Sequence, residues 1–310
     1  MSFQDIKGQD KPIGLLKECI RNSRLTGSYL FVGEEGIGKK FAAKTLAKAL
    51  NCESGLLDSC DNCASCLKIE KGLHPDIHII EGERSRRIDG PGSFGVDPEQ
   101  DQKAGVHDSD SIKIEYIRQL QKDINLRPYE GKRKAFIIDD AHNLTAEASN
   151  ALLKILEEPP DGSLIILVSA KPSLLFKTII SRCKAIKFYP LERAKLEETL
   201  KKDFHLDNSL AHYLGYSCEG RIGRALRLKD TDILRKKNTI IDALALAGRT
   251  GSDKLSGENR NDARVYLNIL AAWFRDMYFI KIGIPYSELI NLDRKEELLK
   301  LMHCYAFTDL

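Results

Sequence analysis

No stretch of the chain approaches the roughly 18 consecutive apolar residues that a membrane-crossing helix needs, which excludes an integral helical membrane protein. The opening residues, Met1 to Asp5, hold neither a basic leader nor an apolar signal segment, and the expectation is a cytoplasmic protein. A charge excess is missing too. Forty-eight Lys and Arg against 45 Asp and Glu leave +3, so the chain is no polycation that coats nucleic acid by itself. Any DNA contact is local or shared with partners. What the chain has in ordinary supply is material for cores: 42% hydrophobic and 30% charged over 310 residues, enough for two or three domains.

Short apolar runs alternate with helical patterns through the first 190 residues. They are Tyr29–Val32, Ile77–Ile80, Phe136–Ile138, Leu164–Val168 and Ala185–Phe188, and this alternation predicts an α/β fold with a parallel five-stranded sheet covered by helices on both faces. One helix is especially legible. Ala148, Ala151, Leu152, Ile155 and Leu156 repeat at helical spacing, and Pro159-Pro160 stops the run. Residues 83–110 turn polar and rich in Gly, Pro, Asp and Ser, the composition of a mobile surface insertion. Strand patterns are absent after Pro190. Residues 191–229 read as a small helical domain, and 231–310 as further helices around Leu267, Leu270, Trp273 and Phe274, interrupted by a polar loop from Gly248 to Asn261.

Gly33-Glu-Glu-Gly36-Ile-Gly38-Lys39-Lys40 follows a predicted strand and opens a predicted helix, the context of a phosphate-binding Walker A loop. Glycines let backbone N–H groups close around phosphate oxygens, and the helix N-terminus adds its dipole. Lys39 is placed to reach the outer phosphates. The hydroxyl that should follow it, as Ser or Thr, to ligate magnesium is missing: the position is Lys40, and an ammonium cannot ligate a cation. Phe136-Ile-Ile-Asp139-Asp140 has the form of the acidic strand that partners such a loop, with Asp139 facing the metal. Asp140 stands where a Glu would polarise water. It is one methylene short, which displaces the carboxylate by about 1 Å, an error that can cost on the order of 100-fold in rate. A plain helix cap remains the alternative for this Asp pair.

Four of the eight cysteines crowd into one loop, Cys52, Cys60, Cys63 and Cys66, spaced C-x7-C-x2-C-x2-C. In a cytoplasmic chain such a cluster suggests a metal before a disulfide, and four thiolates make a closed tetrahedral zinc site, structural because no position stays open. Four buried free thiols are the alternative, and Asp58 and Asp61 lie close by in sequence. Lys132-Arg133-Lys134 reads either as a contact for a nucleic-acid backbone or, more simply, as a solvated charged turn.

A phosphate loop, a four-cysteine insert after its helix, an acidic strand, Ala148-Ser-Asn-Ala-Leu-Leu-Lys-Ile-Leu-Glu-Glu-Pro-Pro160 and Ser181-Arg182-Cys183 follow in one order. Together they resemble the bacterial DNA polymerase III clamp-loader family of AAA+ proteins, and within it the delta-prime type. The resemblance covers the first 230 residues by specific motifs. It implies an AAA+ P-loop domain over 1–189 with a zinc-binding insert (about 52–66), a helical lid domain over 190–229 and a helical collar-type domain over 230–310, whose ending at Thr308-Asp-Leu310, with no evident helix stop, leaves a truncated C-terminus as one reading. It implies that Arg182 acts as an arginine finger in a neighbouring subunit's ATP site. It places a sensor residue near Ser169, and Gly223, flanked by Arg221 and Arg224, where a second sensor arginine would stand. Lys40, Asp140 and Gly223 each weaken hydrolysis and leave the fold intact, which favours a non-motor subunit that binds ATP or ADP without turning it over, if it binds either. Its partners would be the gamma/tau and delta subunits and, through the assembly, the sliding clamp and primed DNA. An ATP-hydrolysing gamma/tau-type subunit and a zinc-stabilised scaffold with no nucleotide role are the competing readings.

Overall fold

A computed structural model of the chain describes residues 2–22, 25–55, 57–82, 110–247 and 260–301. These fall into two compact units, Met1–Pro190 and Leu191–Leu310. The expected insertion at 83–110 lies, apart from Asp110, outside the described residues, and so does most of the loop expected between Gly248 and Asn261.

In the first unit five strands form one parallel sheet: β1 (Gly27–Val32), β2 (Ile77–Ile80), β3 (Lys134–Ile138), β4 (Ser163–Ser169) and β5 (Lys184–Lys187), in the order β2-β3-β4-β1-β5. All five match the apolar runs of the sequence. β3 and β4 are buried along their whole length, as strands sandwiched between helical layers must be. Alternation then sorts their residues to two faces. Tyr29, Phe31, Ile137, Leu164, Ile166 and Val168 share one core with Leu16 of α1 (Asp10–Arg21) and Ala42 and Leu46 of α2 (Lys39–Asn51). Leu30, Phe136, Ile138, Ile165 and Leu167 share the other with Leu120 of α4 (Ile114–Ile124) and Leu152 and Ile155 of α5 (Ala146–Glu157). A short helix, α3 (Ala64–Glu70), follows the cysteine loop.

α5 begins where Thr145 accepts a hydrogen bond from the Ala148 N–H (3.2 Å), a cap not read from the sequence, and ends before Pro159-Pro160 as expected. Truncating one of its buried residues, Leu152→Ala, is expected to cost about 2–5 kcal/mol. After it, α6 (Lys177–Ile180) leads into β5 through the turn that carries Arg182.

The second unit is helical: α7 (Arg193–Lys202), α8 (Asn208–Ser217), α9 (Ile222–Lys229), α10 (Ile233–Ala247), α11 (Arg260–Lys281) and α12 (Lys295–Leu301). One core draws on both halves of this stretch, joining Leu196, Leu214 and Ala225 to Ile241, Trp273 and Leu298. Ile269, Trp273 and Met277, four residues apart on α11, face it. Leu267, assigned to that core from the sequence, points to solvent at 66% exposure, because it stands two positions off this stripe.

Candidate nucleotide site and metal centre

Strand order decides where the phosphate loop sits. β1 lies between β4 and β5, with Val32 level with Ser169 and Lys187, so Gly33–Gly38 emerges at the carboxyl edge of the sheet, the usual ligand edge of a parallel α/β fold. The loop needs its glycines. Gly33 has φ +146°, and a Cβ there would stand 2.5 Å from the Phe188 carbonyl oxygen; Gly36 and Gly38 also have positive φ. Lys39, the first residue of α2, is 6% exposed, and its Nζ donates to the carbonyl oxygens of Gly33 (2.7 Å) and Glu34. Burial lowers its pKa, against the pull of the Asp139 and Asp140 carboxylates.

Beside it the missing hydroxyl has a replacement with its own partners. β2 and β3 pair in register, Ile80 with Ile138, so the next residue on each strand, Glu81 and Asp139, bring two carboxylates to adjacent places on the edge. Lys40 Nζ lies 2.7 Å from Glu81 Oε1 and 3.7 Å from Asp139 Oδ2. The Glu81 side chain is 5% exposed, and a carboxylate so enclosed needs a cation. An ammonium thus pairs with the carboxylates at the position where the motif would place a metal-ligating hydroxyl.

Asp140 adopts φ +46°, uncommon for a residue with a side chain, and its N–H donates to Asp139 Oδ1 (3.0 Å). Burial raises the pKa of Asp139, with Asp140 adding to it; burial raises that of Asp140, with Glu35 adding to it. His142 stands 3.4 Å from Ser169 Oγ through Nδ1, and burial and then Lys171 hold its pKa down. Sequence reasoning missed Glu81 and His142. The signal for Glu81 was present, since an acid directly after an apolar strand falls on the same edge as Asp139.

The four predicted thiols come together. The sulfur atoms of Cys52, Cys60, Cys63 and Cys66 all lie within 4.8 Å of one another, and the group could hold a metal ion. Ligand bonds of about 2.3 Å at tetrahedral angles set sulfurs about 3.8 Å apart, so a small contraction completes the shell. Two backbone N–H groups point at sulfur, Cys63 to Cys60 (3.3 Å) and Cys66 to Cys63 (3.4 Å). Hydrogen bonds, from Ser54 first, lower the Cys60 pKa to about 6, and burial pushes Cys66 up to about 12. The neighbouring carboxylates are engaged elsewhere. Asp58 accepts from the Phe3 and Ser59 N–H groups, and Asp61 pairs with Lys48. Lys48, on α2 and 1% exposed, also pairs with Glu70 at 2.8 Å.

Arg182 stands on the α6–β5 turn with its side chain 34% exposed and paired with Glu157. Gly223 and Arg224 lie in the first turn of α9 in the second unit; Arg221, just before them, donates to Glu219 (2.6 Å) and to the Cys218 carbonyl. The 132–134 triplet agrees with the charged-turn reading in part: Lys132 is exposed and Arg133 half-buried on a bend, whereas Lys134 is buried on β3. Lys132 donates to the Cys52 carbonyl, Arg133 to that of Leu25 and Lys134, at 6% exposure, to that of Asp123 on α4, so each of the three cations is held by a backbone carbonyl.

Among the described residues no helix is long and apolar enough to cross a membrane. A family model described as DNA polymerase III, delta subunit, matches residues 8–192. DNA polymerase III subunit delta′ of Bacillus subtilis is 35% identical over 192 residues, 62% of this chain and 51% of that protein. The tau subunit of the same organism is 30% identical over 293 residues, 88% of this chain and 47% of that protein. The chain thus spans about half the length of these relatives. A solved gamma subunit-related protein of Thermotoga maritima is 18% identical, covers 96% of this chain and 80% of its own, and has a TM-score of 0.38, too loose a likeness to bear on function.

Proposed function

This chain belongs to the DNA polymerase III clamp-loader family, and from that membership we propose that it is the non-motor, delta-prime subunit of the loader. In this reading it joins gamma/tau and delta subunits, helps place the sliding clamp on primed DNA, and lends Arg182 to the ATP site of its neighbour. One observation carries the non-motor assignment: the Lys40 ammonium sits against Glu81 and Asp139, where a hydrolysing subunit needs a metal ion. A dication brought there would meet a fixed positive charge, and the carboxylates that should bind it are already paired. The phosphate loop serves as architecture, with Lys39 and the loop N–H groups able to hold ATP or ADP phosphates. The four cysteines bind zinc, and the closed thiolate shell makes that zinc structural.

Arg182 supports the rest. A fixed guanidinium on an exposed turn can stabilise charge that develops on a transferred phosphoryl group in an adjoining subunit. The test is reconstitution of the loader from its subunits. The chain alone is expected to show no magnesium-dependent ATP turnover, and the loader carrying Arg182→Ala to lose at least about 10-fold of its DNA-stimulated turnover. Turnover by the chain alone that disappears with Lys39→Ala would make it a gamma/tau-type motor instead.

A further inference from the structure

Glu157 is the last residue of α5, and it grips Arg182 from the side. Its Oε1 accepts from Arg182 Nε at 2.9 Å and lies 2.6 Å from Nη2. The other terminal nitrogen, Nη1, donates to the Thr178 carbonyl at 3.0 Å, with Ser181 Oγ at a long 3.5 Å. A guanidinium is planar, so anchors on two sides set both its place and its plane. Of its five N–H bonds, these contacts account for the one on Nε, both on Nη1 and one on Nη2, which leaves an N–H of Nη2 for a further acceptor.

Neither helix stability nor folding calls for this carboxylate. A negative charge on the last turn opposes the helix dipole, and here a second acid, Glu158, follows at the cap. With side chains 34% and 50% exposed, the ion pair contributes little to the folded state. What the placement does achieve is to hold the arginine before any phosphate arrives. A cation already in position needs no reorganisation at the moment of reaction, and misplacement by about 1 Å is enough to lose most of its effect.

We propose that Glu157 is a positioning residue for Arg182, presenting its guanidinium to a phosphoryl group bound by the adjoining subunit. The proposal rests on the reading of Arg182 as a residue that acts in trans. Glu157 touches no substrate and works through the arginine alone.

The experiment uses the reconstituted loader with Glu157→Gln, Arg182→Ala and the double variant, read as steady-state ATP turnover with primed DNA. Glu157→Gln keeps the shape and removes the charge. It is expected to lower kcat by roughly 10-fold with KM for ATP held within about two-fold, since the arginine would act in the transition state more than in ground-state binding. The double variant is expected to be no slower than Arg182→Ala alone, because the two residues form one device. A wild-type kcat for Glu157→Gln beside a slow Arg182→Ala overturns the positioning role and spares the arginine. A faster loader makes the pair a restraint and overturns it too, as do losses that multiply in the double variant. If Arg182→Ala itself turns over normally, the arginine reading fails and this one with it.

Discussion

The Lys40 ammonium lies 2.7 Å from Glu81 Oε1, and that carboxylate is almost wholly enclosed. The pair ties the start of α2 to the end of β2 across the edge where the phosphate loop sits. Lys40→Met leaves Glu81 buried without this partner and is expected to destabilise the chain by about 2 kcal/mol, read by urea denaturation. Lys40→Met combined with Glu81→Gln should recover most of that loss. A double variant as unstable as the sum of its parts would show that the two do not act together.

His78 stacks on Phe136 at 4.7 Å between ring centroids, and burial lowers its pKa from 6.5 to about 4. The folded protein therefore keeps this ring neutral where the unfolded chain takes up a proton. Stability is complete above 6.5, falls as pH drops through the interval, and levels off below about 4, a loss of about 3 kcal/mol at most. His74 and His142 are shifted in the same direction, each mainly by burial, and add to the same limb. Denaturant melts at pH 7 and pH 5 should show the fall, and His78→Leu should flatten much of it. An unchanged slope in the variant would assign the acid sensitivity elsewhere.

For the cysteine loop the prediction is stoichiometric. Elemental analysis of the purified protein should give one zinc per chain, and Cys60→Ser well under one. Stripping the ion with a strong chelator should lower the Tm, since metal binding and folding of such a loop are one equilibrium. Protein that carries no zinc, and melts alike with and without chelator, would leave four free thiols as the correct account.

Gly33→Ala tests the backbone of the phosphate loop. A Cβ would stand 2.5 Å from the Phe188 carbonyl oxygen and 2.6 Å from Ile37 Cδ1 in a conformation that side chains rarely adopt. The Phe188 N–H in turn donates to the Val32 carbonyl (2.8 Å), which fixes the β5 end against β1. The expected loss is about 2–4 kcal/mol in equilibrium unfolding. A variant as stable as the parent would mean that the loop relaxes freely.

The sheet was legible because its strands are short apolar runs bounded by polar turns, a pattern that tertiary packing reinforces. The α5 helix was legible for a similar reason, with periodicity and two prolines in agreement, while its Thr145 cap emerged only in the structure. Leu267 was misplaced because an apolar residue in a helix does not declare its face; only the stripe of Ile269, Trp273 and Met277 does so. Lys134 departs from the charged-turn reading because a one-dimensional reading sees a cation and not the Asp123 carbonyl that receives it inside the fold. Lys40 was recognised as an anomaly in a motif. Its partner Glu81 lies 41 positions away, and what brings the two together is the register of β2 against β3.

Lys48 gives α2 a mechanical character. The helix opens at Lys39 with the phosphate loop, and nine positions later it sends Lys48 into the grip of Asp61 and Glu70 on either side of the cysteine pair Cys63 and Cys66. Thirteen helical residues make a rod about 20 Å long. Loop and cysteine module are thus fastened to one shaft, the first at its opening residue and the second through Lys48.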